Sequence, residues 1–142
     1  MRSWDFHIKS TTSNILAVSE RIQQLCLVNN ICSPNSCNIR LVVVEALNNV
    51  AEHAYKSDKN GDISIYLSFT LDYVLISISD KGITNMLGIE PKELTIDIND
   101  PDSLPEGGFG FNIMHNVMDE ISYHTHENIN TLTLKKYWRK NA

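Results

Sequence analysis

Glu45, Asn49 and His53 stand four residues apart within "EALNNVAEHAYK", residues 45 to 56, beside apolar positions Val42, Val43, Ala46, Val50 and Ala54 that mark one face of a helix. At about 100° per residue the three polar side chains climb the border of that face, where core meets cleft. A side chain there can point into a pocket floored by apolar residues, the usual construction of a small-molecule site. The same row also fits the solvated edge of an amphipathic helix, and spacing alone does not separate the two.

Two further segments carry chemistry that suits the same pocket. "ISISDKGIT" sets Asp80 at the end of a strand and Gly82 just after it. An aspartate so placed can accept a hydrogen bond from the exocyclic amine of an adenine, and a glycine lets a flat base lie close to the backbone. A plain strand-ending turn would carry the same letters. "EGGFGFNIMHNVM" leads Gly107, Gly108, Phe109 and Gly110 into a helix. Free backbone N–H groups at a helix start bind phosphate, and glycines allow a close approach. A hinge without a ligand would also use glycines. The stretch is neither a Walker A loop, lacking the Lys-Ser/Thr ending, nor a Rossmann fingerprint, lacking a βαβ frame.

The elements that must position these residues follow from periodicity. Residues 4–9 alternate as a first strand, and 11–30 place Ile15, Leu16, Val18, Ile22, Leu25 and Cys26 at helical spacing. Pro34 and its polar neighbours interrupt the pattern before a second helix from about Ser36 to Tyr55. Residues 63–70 and 73–79 read as a hairpin, 110–121 as a helix, and 121–126 with 130–138 as a second hairpin about "ENIN". Between Lys81 and Gly107 no periodicity is sustained apart from a short helix expected near 91–94. The order β-α-α-β-β-loop-α-β-β predicts an α+β two-layer sandwich, a mixed and mostly antiparallel sheet with helices on one face.

The 142 residues fit one compact domain, 1–142, and 42% hydrophobic with 20% charged residues is ordinary for a globular chain. A net charge of -5 argues against nucleic acid or an anionic membrane as partner. No apolar run reaches membrane-spanning length and no signal peptide is seen, so the expected compartment is the cytoplasm. Cys26, Cys32 and Cys37 lack zinc-site spacing and read as buried or incidental thiols.

Taken in order, "VVVEALNNVAEHAY", "SDKG" and "GGFGFNIMHNVMDEISY" resemble the N box and the two glycine boxes of the GHKL (histidine-kinase-like) ATPase fold. Within it they are most similar to the anti-sigma-factor serine/threonine kinases of bacterial partner-switching systems. The resemblance implies ATP and Mg²⁺ as ligands. It implies Glu45 as general base, Asn49 as Mg²⁺ ligand, Asp80 as adenine reader and Gly82 as a wall of the base pocket. Gly108, Phe109 and Gly110 would lie at the phosphates, residues 83–107 would form the ATP lid, and His53 matches a recurrent position of less defined role. The implied partners are a STAS-domain anti-anti-sigma-like protein, phosphorylated on serine or threonine, and a sigma factor. A homodimer is also expected, with Trp4, Phe6, Tyr137 and Trp138 as candidates to line it.

The chain departs from the pattern in two places. Thr84 stands where the first glycine box normally ends in glycine, and no Lys or Arg occurs between Glu93 and Leu134, where family lids often carry an arginine. Phosphoryl transfer needs its developing charge neutralised, which leaves Mg²⁺, backbone N–H groups, Lys81, Arg40 or a partner as sources. Two functions therefore stand side by side: an active kinase, and a GHKL-fold module that sequesters a partner without phosphorylating it. A sensor histidine kinase domain fits less well, since no dimerisation helix with an acceptor histidine precedes the motifs.

Overall fold

A computed structural model describes residues 2–56, 58, 60–82 and 109–138. The expected lid at 83–107, the short helix near 91–94 and Gly108 lie outside the described residues. In chain order the elements are β1 (Arg2–Lys9), α1 (Thr12–Val28), α2 (Ser33–Asn49) running directly into a π-helical turn (Val50–Ala54), β2 (Asp62–Phe69), β3 (Tyr73–Asp80), α3 (Phe109–Val117), β4 (Glu120–His126) and β5 (Ile129–Tyr137). The strands form one sheet in the order β1-β2-β3-β5-β4. All its ladders are antiparallel, so the expected mixed sheet is a wholly antiparallel one among the described residues.

One face of the sheet and the apolar faces of the helices share the core. Ile63, Ile65 and Leu67 of β2, Val74, Ile76 and Ile78 of β3 and Leu132 and Leu134 of β5 meet Ile15 and Ile22 of α1 and Ile39, Val42, Val43, Ala46 and Leu47 of α2, all buried. Each such Ile or Leu contributes about 1.5–3 kcal/mol when taken fully out of water. The alternation along β3 therefore fixes its register: a slip of one residue would turn Ile76 and Ile78 into solvent. That register also decides that Asp80 faces the helices and Ser79 and Lys81 the open side.

Local chemistry sets the helix ends. The Thr11 hydroxyl accepts from the Asn14 N–H at 3.2 Å and caps α1. At the other end Asn30 takes a left-handed φ of 70°, and the N–H groups of Asn30 and Ile31 return to the carbonyls of Leu27 and Cys26. This is a Schellman ending with asparagine in the place glycine usually holds. α2 begins earlier than expected because Pro34 sits in its first turn, where the missing N–H has no intrahelical partner to lose. α3 ends earlier, since the Asp119 N–H donates to the Lys135 carbonyl at 2.9 Å and its carboxylate accepts from the Tyr137 N–H at 2.7 Å, drawing the chain into β4.

The aromatic dimer face expected near the ends is divided between the two sides of the sheet. Trp4, Phe6 and Trp138 pack against the core, with the Trp4 ring edge-on to Phe69 at 5.6 Å. Only Tyr137 of the four belongs to another grouping, where it donates to Glu120 and shares the Lys135 ammonium with Tyr73. β1 alternates about the sheet, and its inward positions must be apolar to cover α1 and β2.

Candidate functional site

The helix edge predicted from the sequence has one polar residue drawn inward. Asn49 is buried, only 5% exposed, while Glu45 one turn earlier and His53 one turn later are partly exposed. The Asn49 Nδ2 has no hydrogen-bond partner among the described residues. A buried amide left unpaired costs about 1–3 kcal/mol, so its position calls for a reason beyond stability. His53 does not continue the same α-helical row, because the backbone after Asn49 widens into a π turn closed by the Tyr55 N–H on the Val50 carbonyl at 3.0 Å. π turns inside helices are frequent at functional sites.

That turn carries two contacts which join the helix to the end of β3. A Cβ built on Gly82 would lie 2.4 Å from the Ala54 carbonyl oxygen, so only glycine lets the chain beyond Asp80 pass here. The next residue, Tyr55, lies flat against Gly61 and uses its hydroxyl to accept from the Lys81 N–H at 2.9 Å and to donate to the Asp62 carbonyl at 2.5 Å. The sequence assigned Gly82 to the base pocket; the structure shows a tighter constraint on the helix side.

Asp80 is 2% exposed. Its Oδ1 accepts from the Gly82 N–H at 2.9 Å and from the Asn130 Nδ2 at 2.8 Å, whereas its Oδ2 is buried with no partner among the described residues. Burial pushes its carboxyl above the ordinary carboxylate range, and the hydrogen bonds from Asn130 and Gly82 oppose this. The result is a carboxylate with one oxygen saturated and the other a spare acceptor. Asn130, where the expected "ENIN" turn meets the strand from 130 to 138, is not among the site residues expected from the sequence. It had a signal: period two places it on the same side of β5 as Leu132 and Leu134, and a polar residue at an inward strand position needs a partner.

Other predicted residues are placed less fully. Phe109 and Gly110 open α3, as the motif requires, but their side-chain surroundings and Gly108 lie outside the described residues. Two cations were offered as sources of charge. Lys81 lines a groove of about 600 Å³ together with His7, Lys9, Asp62, Ser64, Ser79 and Asp80. The Arg40 guanidinium donates to Gln23 on α1 at 3.3 Å. Cys26 is buried and its thiol pushed up to about 12 by desolvation, which leaves it unreactive; Cys32 and Cys37 are exposed. No helix among the described residues is long and apolar enough to cross a membrane.

The residues fit a nucleotide. An amine donor would satisfy the spare oxygen of Asp80, and the oxygen of the Asn49 carboxamide is a hard donor of the type Mg²⁺ takes. An antiparallel sheet backed by helices, with this strand end docked on the helix edge, defines the class: the model of the histidine kinase-like ATPase domain matches residues 8–136, and the chain belongs to that family. Membership implies ATP binding. Within the family the chain is a distant homologue of the serine-protein kinase RsbW of Bacillus subtilis (strain 168), 32% identical over 104 residues that span 70% of this chain and 63% of that protein. The match thus covers less than two thirds of this relative's length.

Solved structures agree on the fold. The RsbU and RsbW domains of Rv1364c from Mycobacterium tuberculosis superpose with a TM-score of 0.67 at 15% identity, covering 98% of this chain and 33% of that one. A chain of the SiaB-SiaC complex from Pseudomonas aeruginosa gives 0.64 at 9% identity, covering 94% and 89%.

Proposed function

We propose that this chain is an ATP-dependent serine/threonine protein kinase of the anti-sigma type, which works in the cytoplasm and phosphorylates a STAS-domain antagonist. The observation that carries the nucleotide reading is the half-saturated Asp80 carboxylate at the Gly82–Ala54 junction. The homology to RsbW, named a serine-protein kinase, supports the activity, and likeness to a chain of a two-protein complex supports a protein partner.

In this reading Asp80 accepts from the adenine amine, and Gly108, Phe109 and Gly110 bring backbone N–H groups to the phosphates. Asn49 would hold Mg²⁺ through its side-chain oxygen, and the ion would neutralise charge on the phosphates of ATP. Glu45, one helical turn before Asn49, takes the proton of the acceptor hydroxyl as its oxygen bonds to the γ-phosphorus and the bond to the ADP oxygen breaks.

A second reading rests on the cations. With Arg40 engaged by Gln23 and no Lys or Arg between Glu93 and Leu134, few cations are at hand for the developing charge, which favours a slow or inactive kinase that sequesters its partner. Calorimetric titration of ATP with and without Mg²⁺, on the wild type and on Asn49→Ala, tests the site. Mg²⁺-dependent binding weakened by Asn49→Ala is the expected result. Phosphorylation of a STAS partner that Glu45→Ala abolishes while ATP binding persists would then select the kinase. Binding without any transfer selects the sequestering module, and no binding at millimolar ATP overturns the nucleotide reading itself.

A further inference from the structure

We propose that Asn130 is a positioning residue of the nucleotide site: by holding one oxygen of Asp80 it fixes the other as the base-reading acceptor, so that the preference for adenine over guanine depends on β5 as well as on β3. The inference rests on the reading of Asp80 given above.

Asn130 is 0% exposed, and its amide is engaged at both ends. Nδ2 donates to Asp80 Oδ1 at 2.8 Å and to the Gly82 carbonyl at 3.1 Å, which uses both of its hydrogens. Oδ1 accepts from the Thr125 hydroxyl at 2.8 Å. These partners decide the amide's orientation, because a flip would set its oxygen against a carboxylate and a carbonyl together. The chain Thr125 to Asn130 to Asp80 therefore runs in one direction across three strands. Its register comes from the β4–β5 hairpin, which pairs Thr125 with Asn130 and, through β5, Asn130 with Asp80.

Without Asn130, Asp80 would keep only the Gly82 N–H, and the carboxylate, whose terminal torsion is broad, could present either oxygen over a range of angles. Discrimination is sensitive to that freedom. Adenine offers an amine to a fixed acceptor, whereas guanine offers a carbonyl oxygen at the same place, and acceptor against acceptor is rejected only if the carboxylate cannot turn away.

The test measures ATP and GTP affinities by titration in the wild type, Asp80→Asn, Asn130→Ala and the double variant, with folding followed by circular dichroism. Asn130→Ala is expected to lower the ATP-to-GTP ratio about tenfold, the equivalent of one hydrogen bond to a charged group. It should add less than about twofold once Asp80→Asn is present, since coupled sites are not additive. Should Asn130→Ala fail to fold, Thr125→Val, at an exposed position, removes only the hydroxyl that orients the amide and should shift the ratio the same way by a smaller factor. An Asn130→Ala protein that binds both nucleotides more weakly with the ratio kept would make Asn130 merely structural and overturn the proposal, provided Asp80→Asn does change the ratio. If Asp80→Asn leaves the ratio unchanged, or the wild type binds neither nucleotide, the base-reading role of Asp80 fails and the proposal with it.

Discussion

Gly82 approaches the π turn so closely that an added Cβ would meet both the carbonyl oxygen of Ala54, at 2.4 Å, and its Cβ, at 2.7 Å. The first of these atoms is backbone and cannot rotate away. Gly82→Ala should therefore cost about 1–3 kcal/mol of stability, the range of overpacked cores, and weaken ATP binding as the end of β3 shifts. Urea unfolding with and without Ala54→Gly checks the cause. Removing the Ala54 methyl relieves only the longer contact, so Ala54→Gly should not restore Gly82→Ala, and full restoration would show that side-chain crowding alone is responsible.

Glu127 and Asn128, with φ of 51° and 65°, form the two-residue turn between β4 and β5. Both central residues of a type I′ turn need positive φ, which glutamate accepts poorly. Replacing the pair by Asn-Gly should stabilise the chain by about 1 kcal/mol, since the exposed contact of Glu127 with His126 at 3.8 Å contributes little. The urea midpoint should rise with an unchanged slope. A fall would mean that the turn conformation is not what limits this hairpin.

The strands and helices were legible in the sequence because their apolar positions repeat at 2 or 3.6 residues, and Val42, Val43, Ala46, Val50 and Ala54 are buried as that period requires. Wherever an end was displaced, a local hydrogen bond or a proline decided it, as at Pro34 and Asp119. The π turn had no signature, for it arises where the helix is fitted against Gly82 and Gly61, residues distant in sequence. Asp80 was found from its own strand. Its partner was not, since Asp80 and Asn130 become neighbours only through the pairing of β3 with β5.

Asp80 makes stability depend on pH in the direction opposite to an ion-paired carboxylate. Burial raises its carboxyl in the folded chain, which therefore holds a proton more readily than the unfolded chain does. Stability must then fall as pH rises from the ordinary aspartate value of about 4 through the raised one. Asp62 acts in the opposite sense, its carboxyl held down by the hydrogen bond and charge of Lys9. That contribution is common to both chains when wild type is compared with Asp80→Asn. The stability of Asp80→Asn relative to wild type should grow from mildly acid to neutral pH, as read by urea unfolding at a series of pH values. A difference independent of pH would mean that Asp80 is not appreciably desolvated.

Asn49 should separate stability from binding. Its Nδ2 is buried without a partner among the described residues, so Asn49→Leu, which keeps the branching at Cγ, replaces an unsatisfied polar group by an apolar one. Such replacements are near neutral or stabilising, and without nucleotide the variant should melt at or above the wild-type temperature. With Mg²⁺ and ATP the order should reverse. At about a hundred times its Kd a ligand adds about 2.7 kcal/mol to the folded state, and only the wild type should gain it. Thermal melts with and without Mg²⁺–ATP measure both quantities in one series. If Asn49→Leu is several degrees less stable in the absence of ligand, Asn49 serves the fold itself, and its inward placement no longer argues for a metal ligand.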